Sequence, residues 1–152
     1  MRRDKVIGFV RVLKQLTPAQ KWTVLLSILT FVLALGNLGR AVVALRYSAG
    51  LPDLPTTVSL NYLAAMGGLW GVVFIVCTVG LSCFLPWGRW LTLAAVTLHQ
   101  AQVWTNHLLF DASHYARQTH PRDLALTLVL LLLFWGSLNL PRIRKTLAGG
   151  KG

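Results

Sequence analysis

The sequence predicts an all-α, polytopic membrane protein: a four-transmembrane-helix up-down bundle preceded by an N-terminal amphipathic interfacial helix. Three observations predict it. The 152 residues are 55% hydrophobic and only 12% charged, where a soluble domain carries about 25% charged residues. The apolar residues gather into four runs, each close to the ~20 residues that a helix needs to cross ~30 Å of hydrocarbon. The basic residues collect outside those runs, mainly toward the two chain ends. The chain has no glutamate, and its four acidic residues are Asp4, Asp53, Asp111 and Asp123. That composition excludes a soluble globular enzyme, a disordered chain and a carboxylate-rich metal site.

Residues 1–17 form the first unit. Val6, Phe9, Val10, Leu13 and Leu16 recur at helical spacing, with Arg3, Arg11 and Lys14 elsewhere on the wheel. Such a helix lies on the inner leaflet, held by apolar burial and by anionic lipid. Residues 18–141 form the transmembrane domain, and residues 142–152 a basic cytoplasmic tail.

The first span is expected from about Trp22 to Leu45. Thr17-Pro18-Ala19-Gln20 marks its start as an N-cap, a proline at the first helical position and a capping-box glutamine. A cleaved signal peptide is the rival for this segment. The long basic lead-in, the length of the apolar run and Arg40 argue against it. The second span is expected from about Ser59 to Leu85, stopped by Pro86. The third runs from about Trp90 to Phe110, and the fourth from about Leu124 to Leu140, ended by Pro141. Pro86-Trp87-Gly88-Arg89 reads as a tight turn that makes the second and third spans antiparallel neighbours.

Four spans put both termini on one side, and charge selects the side. Eleven of the fifteen Lys and Arg lie in the N-terminal segment, at Arg89 or in the C-terminal tail. Both ends are therefore expected in the cytoplasm, with the protein in a plasma (inner) membrane. The same distribution explains the net charge of +11 without nucleic acid, for which no aromatic-basic groove exists.

Cys77 and Cys83, six residues apart on one helix, have Cα atoms about 9 Å apart and cannot bridge each other. They read as small packing residues. Gly67 and Gly71 share a face in the small-xxx-small pattern that lets helix backbones approach. The pattern serves either internal packing or a homodimer through Gly67/Gly71.

The third span holds the densest polar signal. Gln100, Trp104, His107 and Asp111 follow i, i+4, i+7, i+11 and share one narrow face, with His99, Gln102 and Asn106 beside or off it. Polar groups at that depth must point into the bundle or a wet cavity. Depth places Asn37, Arg40, Asn61 and Tyr62 of the first two spans at the same level. The candidate binding cluster in the outer half is therefore Asn37, Arg40, Asn61, Tyr62, Gln100, Trp104, His107 and Asp111. Arg40 and Asp111 are expected to pair as ions, and His107 to hydrogen-bond Asp111 one turn away.

Three roles fit such a cluster. One is a buried polar network that sets helix register. A second is a shallow site for a small amphipathic ligand, and a third is a proton or solute path. No cofactor is expected: His99 and His107 lie about 12 Å apart on one helix and cannot clasp one haem iron. No metal is expected either, because membrane-margin histidines such as His107 and His114 are more often hydrogen-bonded than metallated. With no nucleophile-base pair, no paired carboxylates and no phosphate-binding loop, the chain is expected not to be an enzyme. The expectation is a non-catalytic integral membrane protein, an accessory or scaffold subunit packed against membrane partners. The alternative is a small-ligand-binding or transport protein that uses the polar cluster.

Overall fold

The computed structural model describes residues 16–50, 59–110 and 114–148, with backbone only for residues 110 and 114–119. The expected N-terminal amphipathic helix, Asp53 and Asp111 fall outside the described residues. Within them the chain is helical: α1 (Pro18–Gly50), α2 (Leu60–Ser82), α3 (Pro86–Phe110), α4 (His114–Asn139) and the short α5 (Pro141–Leu147). Three stretches are long and apolar enough to cross a membrane: α1, α2 and residues His120–Asn139 of α4. α3 has the length, at 25 residues, but its histidines and amides lower its hydropathy.

α1 starts where the local chemistry dictates. The Thr17 N–H donates to Gln20 Oε1 (2.8 Å), and the Gln20 N–H donates back to Thr17 Oγ1 (3.3 Å). This reciprocal pair satisfies two of the helix's orphan donors. α1 then runs on to Gly50, five residues past the expected end, because no proline or glycine breaks it near Leu45.

α2 ends in a Schellman arrangement. Phe84 takes φ 53°; its N–H donates to the Leu81 carbonyl (3.1 Å) and the Leu85 N–H to that of Gly80 (2.9 Å). That satisfies two orphan carbonyls, with a phenylalanine where glycine is usual. The reversal thus occupies residues 83–85. Pro86-Trp87-Gly88-Arg89, expected to be the turn, is instead the first turn of α3, since proline has no N–H to waste at a helix start. α4 begins earlier than expected and carries Pro121 inside it. Past Asn139 the chain restarts as α5, which the sequence did not reveal. Its Ile143 and Leu147 are buried and its Arg142, Arg144 and Lys145 exposed.

The helices run alternately up and down. The proximal end of the bundle holds Thr17, Ser82, Pro86 and Asn139, and α5 packs there against α1 and α4. There Ser27 Oγ lies 2.6 Å from Ser82 Oγ and donates to the Thr78 carbonyl (3.2 Å). α1 and α2 cross where a Cβ on Gly67 would stand 2.8 Å from the Asn37 carbonyl oxygen, and one on Gly71 2.5 Å from Leu38. The small-residue stripe at Gly67 and Gly71 is therefore packed against α1 of the same chain. α2 and α3 meet backbone to backbone at Gly80 and Gly88.

Around a core that includes Phe74, Leu81, Leu93 and Phe134, the outer surface is also apolar. Thr23, Thr30 and Thr92 are fully enclosed, while Ile28, Val32, Leu69, Val72, Leu98 and Leu132 face outward. Each of the three threonines donates to the carbonyl one turn back, so no hydroxyl needs water. An outside rich in aliphatics around an inside whose hydroxyls are self-satisfied is what hydrocarbon solvent demands.

Candidate functional site

α3 is the helix on which the site is built, and it presents two polar faces. Residues 99, 102 and 106 turn toward α2, and residues 100, 104 and 107 toward α4. Both sets fall within the 3.6-residue period, and the packing order decides which neighbour each meets.

On the α2 side, buried His99 lies edge-on to Trp70 and Phe74, with ring centroids 5.2 and 5.3 Å away. Its Nε2 is 3.3 Å from Asn37 Oδ1, which as a carbonyl oxygen can only accept. The Asn37 amide nitrogen is spent on the Leu33 carbonyl (2.8 Å). One turn outward, Trp70 Nε1 donates to Gln102 Oε1. The Gln102 amide donates to the Tyr62 hydroxyl (3.4 Å), which donates to Asn106 Oδ1 (3.1 Å).

On the α4 side, Thr127 Oγ1 accepts from Trp104 Nε1 (3.0 Å) and donates to Gln100 Oε1 (2.9 Å). Above it Trp104, His107 and His120 form a ring cluster with centroids 5.5–6.2 Å apart. His107 Nε2 approaches Asp123 Oδ2 at 3.9 Å, and Asp123 Oδ1 accepts from the Arg122 guanidinium at 3.2 Å.

Between these faces, in the distal half of the bundle, lies a cavity of about 530 Å³. Side chains of α1, α2, α3 and α4 all reach it. Asn37, Arg40, Gln100 and His107 of the expected cluster line it directly. Tyr62 and Trp104 stand behind the wall, bonded to lining residues Asn106 and Thr127. Asn61 is exposed and does not join them. Asp111 lies outside the described residues, and with it the expected Arg40–Asp111 and His107–Asp111 contacts. Among the described residues, the carboxylate that His107 approaches is Asp123 on α4.

The cavity is also lined by His99, Gln102 and Asn106, which the sequence set beside the main stripe, and by Trp70, Asp123 and Thr127, which it did not single out. A second periodic set was present at 99, 102 and 106. Tyr62 and Trp70, two turns apart on the facing helix, were the matching signal. Among the described residues no three His, Cys, Asp or Glu side chains converge as a metal site. His99 and His107 point to different helices, and Cys77 and Cys83 are free thiols.

Comparison of the chain with protein families, with curated proteins and with solved structures gave no match.

Proposed function

We propose that the chain is a non-catalytic integral membrane protein of four spans, both ends in the cytoplasm, that holds a small ligand in its distal cavity. One observation carries the ligand reading. A volume of about 530 Å³, within the ~300–1,000 Å³ usual for small-molecule sites, opens among polar groups at membrane depth. A network that served only to set helix register would close on itself. An accessory or scaffold role calls for an outward face with chemistry beyond lipid contact, and the middle of α1 and α2 turns mainly aliphatic residues outward, among them Ile28, Val32, Leu35, Leu69, Val72 and Val76.

Support for a fourth span comes from the packing of α3. It lies antiparallel between α2 and α4 from Gly88 to Asn106, and its histidines and amides turn onto those neighbours. Its polar side chains face the bundle and its cavity rather than lipid, so low hydropathy does not bar it from the membrane. The orientation rests on charge. The proximal end carries Lys21, Arg89, Arg142, Arg144 and Lys145 among the described residues, the pattern of a cytoplasmic face in a plasma (inner) membrane.

Cysteine labelling in intact cells, on a background lacking Cys77 and Cys83, tests the topology. Asp53→Cys is expected to react with an impermeant maleimide from outside, and Arg142→Cys only after permeabilisation. Outside labelling of Arg142→Cys would overturn the span count or the orientation. Native mass spectrometry after mild extraction tests the ligand reading. A retained adduct of small-molecule mass is expected; a protein that retains none and takes up none when offered lipids would refute it.

A further inference from the structure

Hydrogen-bond accounting around the cavity specifies the charge of its occupant. Four amide side chains line it, and all four amide oxygens are already acceptors: Asn37 from His99, Gln102 from Trp70, Asn106 from Tyr62 and Gln100 from Thr127. Two of the amide nitrogens are spent as well, that of Asn37 on Leu33 and that of Gln102 on Tyr62. The amide nitrogens of Gln100 and Asn106 have no acceptor among the described residues. Arg40 also lines the cavity, and no hydrogen bond or ion pair joins its guanidinium to another described residue.

The amide groups left over are thus donors, and beside them Arg40 is a cation about one helical turn from the middle of the bundle. Among the described residues that charge has no counter-charge, and an unneutralised charge at such a depth is costly. The total charge points the same way, since two arginines, Arg40 and Arg122, face one aspartate, Asp123. Asp123 is already engaged by Arg122 at 3.2 Å, which leaves Arg40 without a counter-charge among the described residues. The wall also has an apolar part: Leu63 and Met66 from α2, Val103 from α3, Leu126 and Leu130 from α4.

We infer that the cavity takes an amphiphile with a single oxyanion head, a phosphate or a carboxylate, bound by Arg40 and the Gln100 and Asn106 amides. Its hydrocarbon chain lies along the leucine walls of α2 and α4. A guanidinium presents a fork that matches such a head in two parallel hydrogen bonds. The inference rests on the ligand reading of the cavity and adds the class of ligand.

The test is native mass spectrometry of the full chain in a mild neutral detergent, titrated with phosphatidylglycerol, oleate and phosphatidylcholine. The wild-type chain is expected to prefer an anionic probe over phosphatidylcholine by about tenfold or more, the scale of a charge-assisted hydrogen bond. Phosphatidylglycerol against oleate tells a phosphate head from a carboxylate. Arg40→Gln is expected to abolish the preference, and Arg122→Gln, whose side chain is 71% exposed, to leave most of it. Val103→Trp fills the cavity without touching Arg40 or the basic cytoplasmic surface, and is expected to block every probe.

Equal binding of anionic and zwitterionic probes, unchanged by Arg40→Gln but lost in Val103→Trp, would overturn the oxyanion inference and leave the ligand site standing. Undiminished binding in a folded Val103→Trp chain would overturn both, because the probes would then bind elsewhere. Thermal unfolding of each variant in the same detergent shows which chains are folded.

Discussion

Arg89→Leu is expected to destabilise the bundle by about 3 kcal/mol and to broaden or abolish a cooperative unfolding transition in detergent. Arg89 is 8% exposed and reaches from the first turn of α3 to the end of α4. Its Nε donates to the Leu138 carbonyl (3.0 Å) and its Nη2 to Asn139 Oδ1 (2.6 Å). Asn139 in turn donates to the Trp135 carbonyl (2.8 Å). The guanidinium therefore satisfies a C-terminal carbonyl of α4 and lies at the negative end of its dipole. Leucine would leave those acceptors enclosed without donors, at roughly 1–3 kcal/mol for each group.

Arg89→Lys separates this role from the topological one. It keeps the positive charge that orients the protein but lacks the planar fork. The lysine variant is expected to insert normally and to lose about half as much stability as the leucine variant. Equal stability of Arg89→Leu and the wild type, read by denaturant titration, would mean that the α3–α4 junction does not depend on Arg89.

Gly88→Ala is the second substitution with a large expected effect. A Cβ on Gly88 would stand 2.5 Å from the Gly80 carbonyl carbon and 2.8 Å from its Cα. The obstructing atoms are backbone, so no side-chain rotation relieves the contact. α2 and α3 would have to separate by about an ångström, which weakens dispersion along the contact. A cost of about 1–3 kcal/mol follows, in the range of overpacked cores. Gly68→Ala is the internal control: its Cβ would meet nothing within 4 Å, and alanine is the better helix former. Its stability is expected to equal or exceed that of the wild type. If Gly88→Ala were as stable as Gly68→Ala, the Gly80–Gly88 approach would not be a determinant of the fold.

The two positions show where sequence reading stopped. Arg89 was legible as a charge that orients the membrane protein, and Gly88 as part of a turn. Nothing local says that Arg89 lies beneath the end of a helix fifty residues later, or that Gly88 abuts Gly80. Both facts depend on how two helices approach, which no periodicity records. The cavity was half legible for the same kind of reason. Depth along the helices brought Asn37, Arg40, Gln100 and His107 to one level, and those four line it together. Rotation about the helix axes was not available from depth, so Asn61 was included while Trp70, Asp123 and Thr127 were omitted.

By itself the sequence determined what depends on local chemistry and on solvent. Apolar run lengths establish helices of membrane-crossing size. Thr17-Pro18-Gln20 establishes where α1 begins, Pro86 and Pro141 that the second and fourth spans stop before them, and the placement of basic residues an expected orientation. Each is a property of one segment and its immediate surroundings, with backbone hydrogen bonds closing within the segment. Tertiary structure alone decided the two-faced use of α3, the burial of Arg89 and the close crossings at Gly67 and Gly80. It also decided which amide groups are spent and which remain free. Hydrogen-bond satisfaction in a bundle is a property of pairs of helices, and the surplus of donors around the cavity exists only once all four are packed.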